Sequence, residues 1–237
     1  MIWPAPEVRA RGHYDAVSGD RLAALREAHV HATGRRLATL TLDNLGDLVQ
    51  PCRSCVSWEL DPVAATHASE SGDGALEKEA WVSAVLLEWG SCGILAYVGE
   101  TSVGHILYAP PPMVPRAASF PTSPASPDAV LLMTAYIRPE RQGSGLGRAL
   151  VQAAARDLMQ RGVRAIEAFG DAQWERPACV LPADYLSAIG FQTVRPHHRW
   201  PRLRLDLRST VGWREDVEVA VERIFESVVP EPVLRPV

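Results

Sequence analysis

The stretch with the clearest chemical potential is Gln142-Gly143-Ser144-Gly145-Leu146-Gly147-Arg148, placed just before a run that reads as a helix. Alternating glycines leave no side chains to hold an anion away from the backbone. A helix start adds unpaired N–H groups and a partial positive charge. The combination suits a phosphate, and a pyrophosphate best. Two familiar phosphate loops do not fit. A Walker loop needs Gly-Lys-Ser/Thr at the helix start, and none is present. A dinucleotide fingerprint beginning at Gly143 would put its third glycine where Arg148 stands. Glu167 does occupy the place of its acidic residue, but the polar turn of residues 138–142 separates strand from glycines where that fold turns tightly.

The elements around this turn follow from hydrophobic period. Residues 129–137, AVLLMTAYI, are apolar throughout, as a strand buried on both faces requires. After the glycines, Leu146, Leu150, Ala153, Ala154 and Leu158 make a helical stripe, and Gly162 stands where the helix should end. VRAIEAFG (163–170) reads as the next strand, LPADYLSAIGF (181–191) as a short helix ending at Gly190, and RLRLDLRS (202–209) as a last alternating strand. Upstream, residues 35–45 read as a strand with a polar turn. Residues 45–61, interrupted by Pro51, read as two short helical pieces. Residues 77–90 read as a helix with Ala80, Val82, Val85, Leu86 and Trp89 on one face, followed by a hairpin around Gly99-Glu100-Thr101. A proline-rich loop, 110–128, carries Met113 and Phe120 as apolar contacts and is expected to wall an acceptor site or cross to a second subunit. The order of elements is mixed α/β around one sheet.

The Gln142–Gly147 segment has the form Q/R-x-x-G-x-G/A, and with its flanking strand ending Ile-Arg-Pro, the helix GRALVQAA and the later AIGF it resembles the GNAT (Gcn5-related N-acetyltransferase) superfamily over about residues 36–208. The motifs C-x-x-W-E, GSCG and YAPPPMVPRA resemble a bacterial branch of unassigned acceptor. The resemblance implies a mostly antiparallel central sheet with one splayed parallel strand pair and flanking helices. It implies acetyl-CoA as co-substrate, lying between strands 129–137 and 164–169. Backbone groups of Ala135, Tyr136 and Ile137 would pair with the pantetheine, and loop amides of Gln142, Gly143, Ser144, Gly145, Leu146, Gly147 and Arg148 would hold the pyrophosphate. The implied activity is direct acyl transfer to a primary amine. A non-catalytic acyl-CoA-binding or sensing module is the alternative.

Direct transfer needs a general base and often an acid. The tyrosine that many relatives place four residues before the glycine of the Gly-Phe pair is Leu186 here, with Tyr185 turned about 100° away on a helix. The strand before the loop has no carboxylate. Glu59, beside an aromatic residue, is the first candidate base, its pKa raised by partial burial. Glu167 on the strand beside the coenzyme is the second, and His105 reads as a core histidine. Cys179 stands near the short helix as a possible acyl carrier, although direct transfer is the habit of the superfamily.

Composition sets the remaining bounds. The 237 residues carry a formal charge of −4, so nothing points to nucleic acid, and no apolar run reaches the roughly 18 residues of a membrane span. Cytoplasm is the expected compartment. Cys52-x-x-Cys55 lacks the second pair that a structural zinc site requires, so no metal is expected and the thiols read as buried and reduced. The expected organisation is an extension with a short helix over 1–36, an acyltransferase domain over 37–208 and a helical extension over 209–237. The apolar stripe Val217, Val221, Ile224 and Val228 in that last helix must bury on its own domain or in a twofold dimer.

Overall fold

A computed structural model describes residues 34–174 and 179–207. The strands are β1 (Arg35–Thr39), β2 (Gly93–Val98), β3 (Thr101–Ala109), β4 (Ala129–Ile137), β5 (Ala165–Asp171), β6 (Leu181–Pro182), β7 (Gln192–Arg195) and β8 (Arg202–Asp206). The helices are α1 (Pro62–Ser71), α2 (Gly74–Glu88), α3 (Leu146–Gln160) and α4 (Ala183–Ala188). Among the described strands the order across the sheet is β1-β2-β3-β4-β5-β8-β7, with β6 paired to β5. Pairing is antiparallel except for β4–β5 and β5–β6. The first strand opens at Arg35, the residue at which the sequence reading also begins it.

The alternating side chains of the strands sort into two cores, one on each sheet face. On one face Ile94, Ile106, Val130 and Leu132 pack beneath Leu146, Leu150, Ala154 and Leu158 of α3. That is the stripe expected from sequence, and Gly162 at φ +78° closes the helix in the left-handed region. On the other face Leu95, Leu107, Leu131 and Met133 meet Trp58, Trp81, Val82 and Val85.

The buried face of α2 differs from the expected one. Ala80 is exposed, whereas Trp81 and Lys78 are buried. Trp81 turns inward because its indole N–H donates to the Met113 carbonyl at 2.7 Å, which also anchors the proline-rich loop. Lys78 turns inward to meet Glu59. Residues 45–61 do not form two helical pieces. A single 3₁₀ turn, Leu45–Asp47, is followed by turns. The helix comes later, as α1, started by Asp61, whose side chain accepts from Val63 N at 2.9 Å and Ala64 N at 3.1 Å. The proline-rich loop holds two 3₁₀ turns, Pro111–Met113 and Pro115–Ser119. The helices expected near each end of the chain lie outside the described residues. No described helix is long and apolar enough to cross a membrane.

His105 is fully buried on β3, stacked on Tyr136 with ring centroids 5.8 Å apart. Burial holds its imidazole down to about 3, so the native ring is neutral. Below the unfolded value of about 6.5, the unfolded chain binds a proton that the native state refuses, so acid favours unfolding. His105 is therefore expected to remove about 2 kcal/mol of stability between pH 7 and pH 5. Chemical denaturation at both pH values should show that loss in the parent and not in His105→Phe. Equal pH slopes in the two proteins would refute it.

Candidate active site

The β4–β5 ladder is short. It joins only Ala129, Val130 and Leu131 to Ala165, Ile166 and Glu167. Beyond that point the two strands part, and β6 pairs with β5 beside the gap at Gly170 and Asp171. Ala135, Tyr136 and Ile137 lie on this parted half of β4 and are half-buried. Their other edge is occupied by β3, where Tyr136 lies opposite His105.

The parted strand leads into the glycine turn. A 3₁₀ turn over Pro139–Arg141 carries the chain to Gly143 at φ +74° and Gly145 at φ +78°. Both values lie where a Cβ is strained, so these glycines allow the turn to form. Ser144 Oγ fastens it by donating to the Arg141 carbonyl at 2.6 Å. Gly145 is the N-cap of α3, and no side chain caps that helix end. Its first-turn amides thus point into open surroundings, with a Cβ at Gly143 or Gly145 finding nothing within 4 Å. Arg141 and Arg148 flank the turn and are exposed.

Gly147 is needed for a different reason. A Cβ there would stand 2.6 Å from the Tyr185 hydroxyl, so the tyrosine is built against the first turn of α3. Gly147→Ala is expected to cost about 1–3 kcal/mol by overpacking. The cost should shrink when Tyr185→Phe removes the hydroxyl in the same chain, as denaturant titration of the single and double variants would read. An unchanged cost in the double variant would show that the hydroxyl is not the obstacle.

The two carboxylates expected to act as bases are both withdrawn from solvent. Glu59 is 2% exposed and pairs with the buried ammonium of Lys78. Burial raises its pKa, as expected, with Lys78 opposing. The burial is complete rather than partial, however, so no amine reaches the carboxylate. Glu167 is fully buried, with Arg204 at 3.2 Å, Arg202 at 3.4 Å and the Ser126 amide at 3.0 Å. It braces the end of the β4–β5 ladder. Leu186 packs wholly inside the core beneath α3.

The aromatic residues around Glu59 form what sequence spacing did not suggest. Phe120 of the proline-rich loop stacks on Phe169 of β5 at 4.4 Å and on Trp58 at 5.3 Å, with Trp200 edge-on at 5.7 Å. Phe169 lies two residues past the last β4–β5 pair, so this stack extends from the parting of the strands outward. It ends in a cleft of about 650 Å³ lined by Ser57, Thr66, Glu70, Arg116, Phe120 and Trp200, among others. The one signal in the sequence was the loop itself, long and proline-rich with a lone phenylalanine.

The model of the acetyltransferase (GNAT) family matches residues 50–181, more than half of the chain. No curated protein matches it. Among solved structures, the PaiA N-acetyltransferase of Thermoplasma acidophilum, in complex with coenzyme A, superposes with a TM-score of 0.50 at 11% identity, over 73% of this chain and 99% of that one. An N-acetyltransferase of Staphylococcus aureus Mu50 gives 0.49 at 13% identity, over 74% and 99%. A GNAT acetyltransferase of Brucella melitensis, in complex with acetyl-CoA, gives 0.43 at 17% identity, over 73% and 88%. The mixed sheet with one parting parallel pair, the glycine turn at the head of α3 and the family match together place the chain in the acetyltransferase (GNAT) family.

Proposed function

We propose that the protein moves an acetyl group from acetyl-CoA directly to a primary amine. The observation that carries this reading is the junction of two features: β4 freed from β5 beyond Leu131, and the uncapped start of α3 immediately downstream. The amides from Gln142 to Arg148 would hold the pyrophosphate, with Arg141 and Arg148 adding charge. Backbone groups of Ala135, Tyr136 and Ile137 would pair with the pantetheine and bring the thioester into the gap. An N–H there would stabilise the oxyanion that develops when the amine attacks. The amine would enter through the aromatic cleft, where the carboxylate of Glu70 attracts its cationic form and Phe120 forms a wall. Attack requires the neutral amine, and with Glu59 and Glu167 locked in ion pairs the proton leaves to water in the cleft.

A non-catalytic acyl-CoA-binding module is favoured by one observation, the absence of a tyrosine where Leu186 fills the core. Thioester consumption, followed with acetyl-CoA and a panel of small amines and peptides, separates the two. Amine-dependent release of free coenzyme A supports transfer. Coenzyme binding with no release for any amine supports the module. Mass spectrometry of a cell extract incubated with the protein and labelled acetyl-CoA would then identify the acceptor.

A further inference from the structure

We propose that Cys55 and Cys179 are a redox pair that closes reversibly into a disulfide under a peroxide oxidant and so fastens the 51–58 turn across the β4–β5 gap. The two sulfurs lie 3.1 Å apart although 124 positions separate them in sequence. A disulfide needs about 2.05 Å, so closure requires a shift of about 1 Å. A second contact holds the same two segments together, since the Trp58 indole N–H donates to the Cys179 carbonyl. Cys179 leads directly into buried Val180 and β6, the strand that pairs with β5 beside the gap. Both thiols are half-buried, within reach of a small oxidant.

The surroundings single out one sulfur as the thiolate. Cys55 is held below the ordinary thiol value, chiefly by the hydrogen bond from Cys179, with the Ser57 hydroxyl and the charge of Lys78 helping and burial opposing. Cys179 is correspondingly raised as the proton-bearing partner. Burial pushes Cys52 up to about 11 and Cys92 up to about 12, so neither competes as a nucleophile.

The chemistry balances. The Cys55 thiolate attacks one oxygen of hydrogen peroxide; the S–O bond forms, the O–O bond breaks, and the departing hydroxide takes a proton to leave as water. The Cys179 sulfur then attacks Cys55; the S–S bond forms, the S–O bond breaks, and the released hydroxide takes the Cys179 proton as a second water. Two thiols lose two electrons and one peroxide gains them. A dithiol reductant reverses the bond by exchange. The sequence suggested buried, reduced thiols; Cys55 and Cys179 are only half-buried.

The test uses the full-length reduced protein, treated with hydrogen peroxide, blocked with iodoacetamide and digested without reductant. A linked peptide joining Cys55 to Cys179, cleaved by dithiothreitol and absent from Cys55→Ser and Cys179→Ser, is the expected result. Failure to form that link, or a link between Cys52 and Cys55 instead, overturns the proposal. The map is made on the parent chain, so it does not depend on the variants folding. The consequence for turnover rests on the proposed acetyl transfer. Oxidation should lower amine-dependent coenzyme A release in the parent and not in Cys179→Ser, with dithiothreitol restoring it. A fully linked protein with unchanged turnover would overturn the gating role. A reduced parent that binds coenzyme A but never transfers would count against acetyl transfer while leaving the disulfide standing.

Discussion

Replacing Lys78 by methionine is expected to destabilise the fold by about 3–5 kcal/mol, because it leaves the Glu59 carboxylate buried without its counter-charge. For a chain of this size that corresponds to a fall in Tm on the order of 6–20 °C. The pair is 1% and 2% exposed, so water cannot replace the lost ammonium. Changing both partners, as Glu59→Leu with Lys78→Met, should recover most of the loss, since desolvation of two charges then no longer opposes folding. The single variant should also acquire a telling pH dependence. Burial already raises the Glu59 pKa, and losing Lys78 raises it further. Its native state then binds a proton that the unfolded chain releases above its own carboxylate pKa, so stability falls as pH rises through the raised value. Lys78→Met should therefore be relatively more stable in mild acid than at neutral pH, when compared with the parent. A single variant within about 1 kcal/mol of the parent at neutral pH would refute the account.

The second large effect is on coenzyme binding. Gly145→Val is expected to weaken coenzyme A binding by about 10–100-fold, the loss of one charge-assisted hydrogen bond at the turn. The left-handed φ of +78° costs a valine about 1–2 kcal/mol or forces the turn to open. Its side chain would also stand in front of the amides that an anion must approach. Because a Cβ at Gly145 meets nothing within 4 Å, the fold itself should survive. Calorimetric titration with coenzyme A, paired with a denaturation curve, separates the two effects. Unchanged affinity in a folded variant would move the pyrophosphate elsewhere.

The parts legible in the sequence were those governed by local rules. β4 announced itself by an unbroken apolar run, α3 by its five-residue apolar stripe, and the glycine turn by spacing alone. α1 escaped because only Ala68 in it is buried, so it has no stripe; Asp61-Pro62 at its start and Gly72 after its end were the available signals. β7 escaped because all four of its residues are exposed, leaving no alternation to read. The surroundings of the two carboxylates were not legible for a non-local reason. Whether Glu59 is a base or half of an ion pair depends on a lysine nineteen positions away on another element. The same holds for Glu167, whose arginines come from β8. The aromatic stack joins Trp58, Phe120, Phe169 and Trp200 from four separate segments, a convergence that periodicity within one segment cannot express.

Lys78 has one more consequence. It is the sole lysine in the chain, and it is sealed inside an ion pair. A protein that handles an activated acetyl donor ordinarily exposes many ε-amines to it. This one exposes none in its folded state, so its surface is inert to lysine self-modification, whether by its own chemistry or by spontaneous transfer from thioesters in its surroundings. Amine-directed labels should likewise leave lysine untouched until the chain unfolds, which makes Lys78 labelling a direct gauge of global opening. Acetyl-lysine recovered from a reaction with the folded protein can then be assigned to the acceptor.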